Sequence, residues 1–478
     1  MGDNKVSLFI GGDWCGASDR AMRELINPAT SEIIGSVPVA TGADIDRSLS
    51  AVAKGFAVWR EFSPFDRHKV LKRAADLVRE RSTSIAARLT EEQGKPLAES
   101  KAELGNCADI FEWYAEEGRR SYGRSIPARI AGVSQTVQME PIGPVAAFSP
   151  WNFPASQAAK KLGAALGAGC SVVLKGPEEA PTASMELVRA LDDAGLPKGV
   201  VNLLFGDPAA ISDRLIRSPV IRKISFTGSV PVGKHLASLA AAHMKPSTME
   251  LGGHAPVIVF EDVEVDKVAA QLAGFKYRNA GQVCIAPSRF YVHQDVYEHF
   301  VDRFVASAAA IKVGPGSAAD TQMGPLANRR RLEAMEQLVS DAVSRGANLR
   351  TGGNRIGNSG YFFEPTVLSE VPEEARIMHE EPFGPVAPIA PFDDFDDVIG
   401  RANATDYGLA AYCFTRSGER AMTVSRAFES GMVSINHFGI GPTETPFGGV
   451  KDSGFGREGG YEGLLGYMTT KFVSHKYA

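Results

Sequence analysis

Apolar residues recur in different rhythms along this chain, and each rhythm predicts a different layer. Between Ser7 and Ser36, Leu8-Phe9-Ile10 and Glu32-Ile33-Ile34 flank the turn signal Asn27-Pro28-Ala29-Thr30, which predicts an opening layer of short strands. From Ala43 to about Glu117 the apolar spacing becomes three and four, clearest in Arg67–Arg81 and Ile85–Gln93, and predicts a helical block. Ser134–Glu140 then alternates like an exposed strand and reads as a projecting arm.

Between Pro144 and Phe260, strand-like runs alternate with helix-like stretches: Val145–Phe148, Ser171–Leu174, Val200–Leu204, Lys223–Phe226 and Pro256–Phe260. That alternation predicts a parallel sheet with crossover helices. Beyond Val257 the pattern predicts helices around Lys267–Gly281, Tyr297–Ala309 and Arg329–Arg345, with strands near Tyr291-Val292 and Ala387–Ile389. The last strand-like run, Tyr467–His475, is a candidate partner for the arm near Gln135–Glu140.

Ligands of parallel sheets bind outside the carboxyl ends of strands, so the loops after Phe148, Leu174 and Phe226 carry the interest. The first, Ser149-Pro150-Trp151-Asn152-Phe153-Pro154, stiffens its backbone with prolines and presents an amide donor in Asn152 that suits an oxyanion. The second, Lys175-Gly176-Pro177-Glu178, sets a cation and an anion at a helix entrance, able to hold ribose hydroxyls. The third, Phe226–Gly233, holds Gly228 and Gly233, which let a helix amino terminus approach a pyrophosphate.

One further stretch, Met249 to Cys284, supplies a nucleophile and a base. Cys284 lies among small and polar residues near a helix end, an environment that predicts a partly exposed thiol with a stabilised thiolate. Glu250 closes a short β-rich run before Gly252-Gly253 and is placed to activate water. His254 reads as a loop histidine satisfied by backbone rather than a partner for the cysteine. Gly454-Phe455-Gly456-Arg457-Glu458-Gly459 fits a dinucleotide fingerprint, but too little chain follows for a βαβ unit. It reads as a turn.

Composition narrows the classes. Hydrophobic residues make up 44% and charged residues 22% of 478, ordinary for a globular enzyme of two or three domains. A formal net charge of −5 gives no positive field for nucleic acid. The five cysteines are scattered with no C-x-x-C pair, so neither a disulfide framework nor a metal site is expected. No stretch reaches the 18 or so apolar residues of a membrane span, and no leader pattern opens the chain. The expectation is a reducing cytoplasm, with no membrane and no nucleic-acid partner.

The residues resemble the NAD(P)-dependent aldehyde dehydrogenase superfamily from end to end. The matching stretches are Pro150–Pro154, Lys175–Glu178, Phe226–Gly233, Met249–Gly253, Gly281–Cys284, Glu380–Pro385 and Pro446–Gly449, in the family's order, with Glu250 and Cys284 at the family's spacing of 34 residues. The resemblance implies an α/β chain: a Rossmann-like cofactor domain (1–119 and 141–251), an α/β catalytic domain (252–447) and a small β oligomerisation arm (120–140 and 448–478). It also implies that Cys284 attacks the aldehyde, that Asn152 and the Cys284 amide hold the oxyanion, and that Glu250 activates water against the thioester. Lys161 is a family lysine near the same site.

For the cofactor, the resemblance implies contacts from Trp151, Lys175, Glu178, Gly206, Gly228, Ser229, Gly233, Glu381 and Phe383. Glu178 repels a 2′-phosphate and so favours NAD, while Lys175 and Lys161 leave NADP as the alternative. The arm implies a homodimer, or a tetramer of paired dimers, with the terminal strand pairing across chains.

The local background is most similar to the succinate-semialdehyde and ketoglutarate-semialdehyde dehydrogenase branch, where two arginines and a serine grip a carboxylate. Arg278 matches one arginine; Lys160 replaces the other, and Gly441 stands at the serine's place. Lysine keeps the charge and loses the bidentate fork. Succinate semialdehyde is the first expectation, with a sulfonated or ketoglutarate semialdehyde, or a broad aldehyde range, as alternatives. A CoA-acylating enzyme is disfavoured by the hydrolytic base Glu250, and a non-catalytic relative by the presence of all three reacting groups.

Overall fold

Chain order in the first sheet decides which loops meet. Its five parallel strands lie side by side as Val201–Leu204, Val172–Lys175, Val145–Phe148, Lys223–Thr227 and Ser247–Glu250. Three of the crossover helices, Pro154–Ala168, Pro181–Asp193 and Pro208–Arg217, begin on a proline, whose fixed φ suits a first helical turn. The strand order reverses between Val145–Phe148 and Lys223–Thr227. Phe148 is in register with Phe226, and Thr227 with Glu250, so their carboxyl ends open one crevice at the switch point. This computed structural model describes residues 5–477.

Leu8–Ile10 and Asp13–Cys15 extend one edge of that sheet rather than forming a layer of their own. At the other edge Gly454–Phe455 pairs antiparallel with Met249 and Glu250; the apparent dinucleotide fingerprint is a turn-rich edge, with Gly454, Gly456 and Gly459 all at positive φ. The two helical stretches expected between Arg67 and Gln93 are one continuous helix, Pro64–Gln93.

A second sheet runs Asn348–Thr351, Thr366–Ser369, Val386–Phe392, Pro287–His293, Ala255–Val259, Ala410–Phe414, Met432–Ile435, and is parallel except for its first strand. Ala255–Val259 therefore does not close the first sheet, as expected for Pro256–Phe260. Ser247–Glu250 takes that place. A strand buried on both faces reads the same in either sheet, so the pattern alone does not assign it. Buried apolar side chains from Val6 to Leu251, with Leu464 and Tyr467, form one core, and those from Ala255 to Phe447 form another. The changeover falls at Gly252-Gly253.

The third layer is an antiparallel arm of Arg124–Ile126, Val133–Pro141 and Met468–Lys476. The last two pair along their whole length within the same chain, from Met468 opposite Pro141 to Lys476 opposite Val133. This corrects the expectation of pairing with a neighbouring subunit. Val133–Pro141 is paired along one edge by Met468–Lys476 and, from Gln135 to Val137, along the other by Arg124–Ile126.

Candidate active site

The loop carrying Asn152 is fastened from behind. Phe153 gives the helix Pro154–Ala168 no side-chain cap. Glu103 does so instead, accepting from the Ala155 and Ser156 amides at 2.9 and 3.1 Å, as a carboxylate at a helix amino terminus should. The other Glu103 oxygen meets Lys95 at 2.6 Å with both side chains buried, and Lys95 Nζ also donates to the Asn152 carbonyl at 2.7 Å. Asn152 is 4% exposed and spends one Nδ2 hydrogen on the Gln282 carbonyl at 3.1 Å. The second Nδ2 hydrogen remains for a ligand.

Cys284 follows a short turn in which Asn279, Ala280 and Gly281 all have positive φ, at 49°, 53° and 72°. Left-handed alanine and asparagine cost about 1–2 kcal/mol each, and amides hold them there. Gln93 Nε2 donates to Asn279 Oδ1 at 3.0 Å, Asn279 Nδ2 to the Asn152 carbonyl at 3.0 Å, and Gln282 Nε2 to the Asn279 carbonyl at 3.0 Å. The cysteine keeps partial exposure, yet its thiol is pushed up to about 12, by burial first and Glu381 second, with Lys160 opposing. Crowding and a nearby carboxylate outweigh the single cation, so these surroundings favour the thiol over the expected thiolate.

Glu250 ends its strand 2% exposed, with both carboxyl oxygens buried and unpartnered. Burial, and next the charge of Glu458, hold it well above the usual carboxylate range against Lys160, Lys161 and Arg457. Lys161 is fully buried, donates to Thr227 Oγ1 at 2.6 Å and pairs with Glu458. It lies behind the crevice rather than on its wall. Glu458, inside the discarded fingerprint, carried no sequence signal for this position.

A cavity of about 360 Å³ opens at the switch point, lined by Trp151, Asn152, Gly228, Ser229, Glu250, Cys284, Glu381 and Phe383 among others. The helix Val230–Ala242 starts beside it with Ser229 as its cap residue and no side-chain cap bond, leaving amide donors for an anion. Trp151 and Phe383 meet edge to face at 5.5 Å. Glu381 accepts from the Gly253 amide at 3.1 Å and is raised to about 7 by burial. Asn328, Arg330 and Arg331 also line the cavity; nothing in their spacing marked them.

Four expected cofactor residues lie off this wall. Lys175 and Glu178 pair at 2.7 Å, and Glu178 also accepts from the Gly206 amide at 2.9 Å. These three form a buried cluster of their own. Gly233 serves packing: a side chain there would strike Leu251. His254 bonds the Ile377 carbonyl through Nε2 at 3.0 Å.

A second cavity of about 420 Å³ lies on the far side of Cys284. Phe153, Phe275, Phe438, Ile440 and Phe447 wall it, and Lys160 and Arg278 supply its cations. Lys160 Nζ sits 3.8 Å from the Phe447 ring centroid, and the Arg278 guanidinium 5.0 Å from that of Phe275, which stacks on Phe438 at 4.3 Å. Among the described residues neither cation has an ion-pair partner within 4 Å, and Arg278 Nε is buried and unpartnered. Gly441 lines the same cavity and offers no hydroxyl.

With this fold and this site, the chain belongs to the aldehyde dehydrogenase family, whose model matches residues 14–473. It is similar to 4-(hydroxymethyl)benzenesulfonate dehydrogenase of Comamonas testosteroni, 47% identical over 98% of both chains. It is also similar to 3-sulfolactaldehyde dehydrogenase of Pseudomonas putida, 40% identical over 98% of this chain and 96% of the other. The crystal structure of succinate-semialdehyde dehydrogenase from Burkholderia pseudomallei superposes with a TM-score of 0.97 at 41% identity, covering 100% of both chains. Among the described residues no helix is long and apolar enough to cross a membrane.

Proposed function

We propose that the chain oxidises a sulfonate-bearing aldehyde with an apolar, ring-sized tail to the carboxylic acid, using NAD(P). The observation that carries this reading is the position of Cys284 as a shared wall of two cavities. One has the helix amino terminus, aromatic pair and buried carboxyl that suit a dinucleotide. The other is aromatic-walled and carries Lys160 and Arg278, with Glu99 and Glu103 also on its lining.

Cys284 attacks the aldehyde carbon, and the thiol proton leaves to solvent. The Asn152 amide and the Cys284 backbone N–H hold the oxyanion. Bound NAD supplies an electron-poor ring that accepts the hydride. Gly228, Ser229, Trp151, Glu381 and Phe383, which line the cavity at the switch point, would hold the cofactor's reacting half. Glu178, beside Lys175 and the Gly206 amide behind that wall, would accept from a ribose hydroxyl that reached it and would repel a 2′-phosphate. NAD is the favoured cofactor. Water activated by Glu250 then releases the acid.

A sulfonate is favoured over a carboxylate because three oxygens in a tetrahedral array accept from two separated cations, whereas a planar carboxylate is best met by a fork that Lys160 lacks. The cavity volume and four phenylalanines suit a ring, and the similarity to relatives named for sulfonated substrates supports the same anion. A succinate semialdehyde reading draws on the same two cations but leaves the aromatic walls without a contact. The test is kcat/KM for 4-formylbenzenesulfonate, a sulfonated lactaldehyde, succinate semialdehyde and benzaldehyde. The expected order places 4-formylbenzenesulfonate at least tenfold above benzaldehyde, about 1.4 kcal/mol. Benzaldehyde matching it removes the anion site, and succinate semialdehyde leading removes the ring.

We assign the arm to a homodimer contact. Its last strand has an unpaired outer edge and exposes Phe472 at 57%, with Tyr477 just after it at 61%, a combination that invites covering. Phe472→Asp is expected to shift the species seen by sedimentation to a smaller one; a monomeric wild type removes the assignment.

A further inference from the structure

Gln157 has no part in the chemistry above, yet it and Cys284 are the two described residues that line both cavities. It stands one helical turn before Lys160 and Lys161, is 6% exposed, and its Oε1 is buried without a partner. A buried amide oxygen left unpaired costs about 1–3 kcal/mol, so this position is filled for a ligand rather than for packing. Among side-chain acceptors of the described residues lining the cavity at the switch point, those buried and unpartnered are Gln157 Oε1 and the two oxygens of Glu250.

Thioester hydrolysis has a matching requirement. The attacking water must aim a lone pair at the acyl carbon on Cys284, so both its hydrogens point elsewhere and need two acceptors. Glu250 removes one hydrogen. We propose that Gln157 Oε1 accepts the other and thereby orients the hydrolytic water. The O–C bond forms as the proton passes to Glu250; collapse breaks the C–S bond and returns the Cys284 thiolate, which takes up a proton. Nothing is oxidised or reduced in this step. The inference rests on the proposed thioester reading.

The test is rapid-mixing kinetics of wild type, Q157M, Q157E and E250Q with NAD and 4-formylbenzenesulfonate, with and without hydroxylamine. In Q157M, kcat is expected to fall tenfold or more while kcat/KM stays within about twofold, because acylation and hydride transfer precede the affected step. A burst of about one NADH per site should persist, and hydroxylamine, which needs no second acceptor to attack, should restore turnover and give the hydroxamate. Q157E keeps an acceptor oxygen and should recover at least about a third of wild-type kcat. An unchanged kcat in Q157M overturns the proposal, as does a fall in kcat/KM with loss of the burst, which would make Gln157 an aldehyde contact or a structural residue. Should Q157M behave as wild type while E250Q bursts and stalls, Gln157 alone fails; steady turnover by E250Q without a burst fails the thioester reading itself.

Discussion

The anion clamp gives the sharpest test of substrate class, because two substitutions should change specificity without changing chemistry. Lys160 is 9% exposed and Arg278 has a buried, unpartnered Nε, so a sulfonate between them meets cations in a medium far from bulk water. Two unit charges 4 Å apart at an effective dielectric of about 20 attract by about 4 kcal/mol. Desolvating the sulfonate offsets part of that, leaving about 1.5–3 kcal/mol for each cation. Lys160→Met and Arg278→Met should each lower kcat/KM for 4-formylbenzenesulfonate by tenfold to a hundredfold, read as NADH absorbance at saturating cofactor. Benzaldehyde should lose less than about threefold in either variant, since it presents no anion. Lys160→Arg should retain more activity than Lys160→Met. An equal loss on both aldehydes would refute the clamp, and would recast Lys160 as a cation packed on Phe447 for stability, worth about 0.5–2 kcal/mol.

Cys284→Ala is expected to abolish NADH formation, and Glu250→Gln to give one burst followed by a stall; steady turnover near the wild-type rate in either contradicts the assignments. Breaking the buried Lys95–Glu103 pair with Glu103→Gln should lower unfolding free energy by about 3–5 kcal/mol and reduce kcat as the Asn152 loop loosens, and a denaturant midpoint matching wild type would count against it. Glu92 is 1% exposed and is raised from 4.5 to about 7 by burial, despite bonds from Thr182. Its folded form holds a proton the unfolded chain has lost, so its contribution is complete below pH 4.5 and falls as pH rises through 7; Glu92→Gln should flatten denaturation midpoints across pH 5–7, and an unchanged slope would exclude the group. Cys284, Glu250 and Glu381 are all biased toward their protonated forms. A cationic nicotinamide entering beside them should therefore release protons at pH 7, measured by titration calorimetry in buffers of different ionisation enthalpy, and proton uptake would reverse the argument.

The parts of the fold legible in the sequence are those set by local periodicity. Val145–Phe148 and Lys223–Thr227 lie within a residue of their expected ends because short β-rich runs between helical stretches leave few alternatives. Ala255–Val259 was misplaced because a doubly buried strand carries no mark of its sheet. Among site residues, those on loops stand out by type, as Asn152 after a strand and Cys284 before one do. Lys95, Glu103 and Glu458 do not: each is an ordinary charge in a helix or turn until the fold buries it against a partner from a distant part of the chain. The raised thiol of Cys284 was illegible for the same reason, since burial and Glu381 act through space rather than along the chain.

The location of the site on the seam between two cores has a mechanical consequence. Asn152 belongs to the first half of the chain and Cys284 to the second, so nucleophile and oxyanion donor are aligned only as well as the bonds crossing between them. Those bonds include Gln93 to Asn279, Asn279 to the Asn152 carbonyl, Asn152 to the Gln282 carbonyl and the Asn279 amide to Glu99. At about 1 kcal/mol each they add little to the stability of a chain this size. A misplacement of about 1 Å at a reacting centre, however, costs about a hundredfold in rate. Their weight is therefore kinetic: weakening this amide chain should cost far more in kcat than in unfolding free energy, the opposite of what a core substitution does.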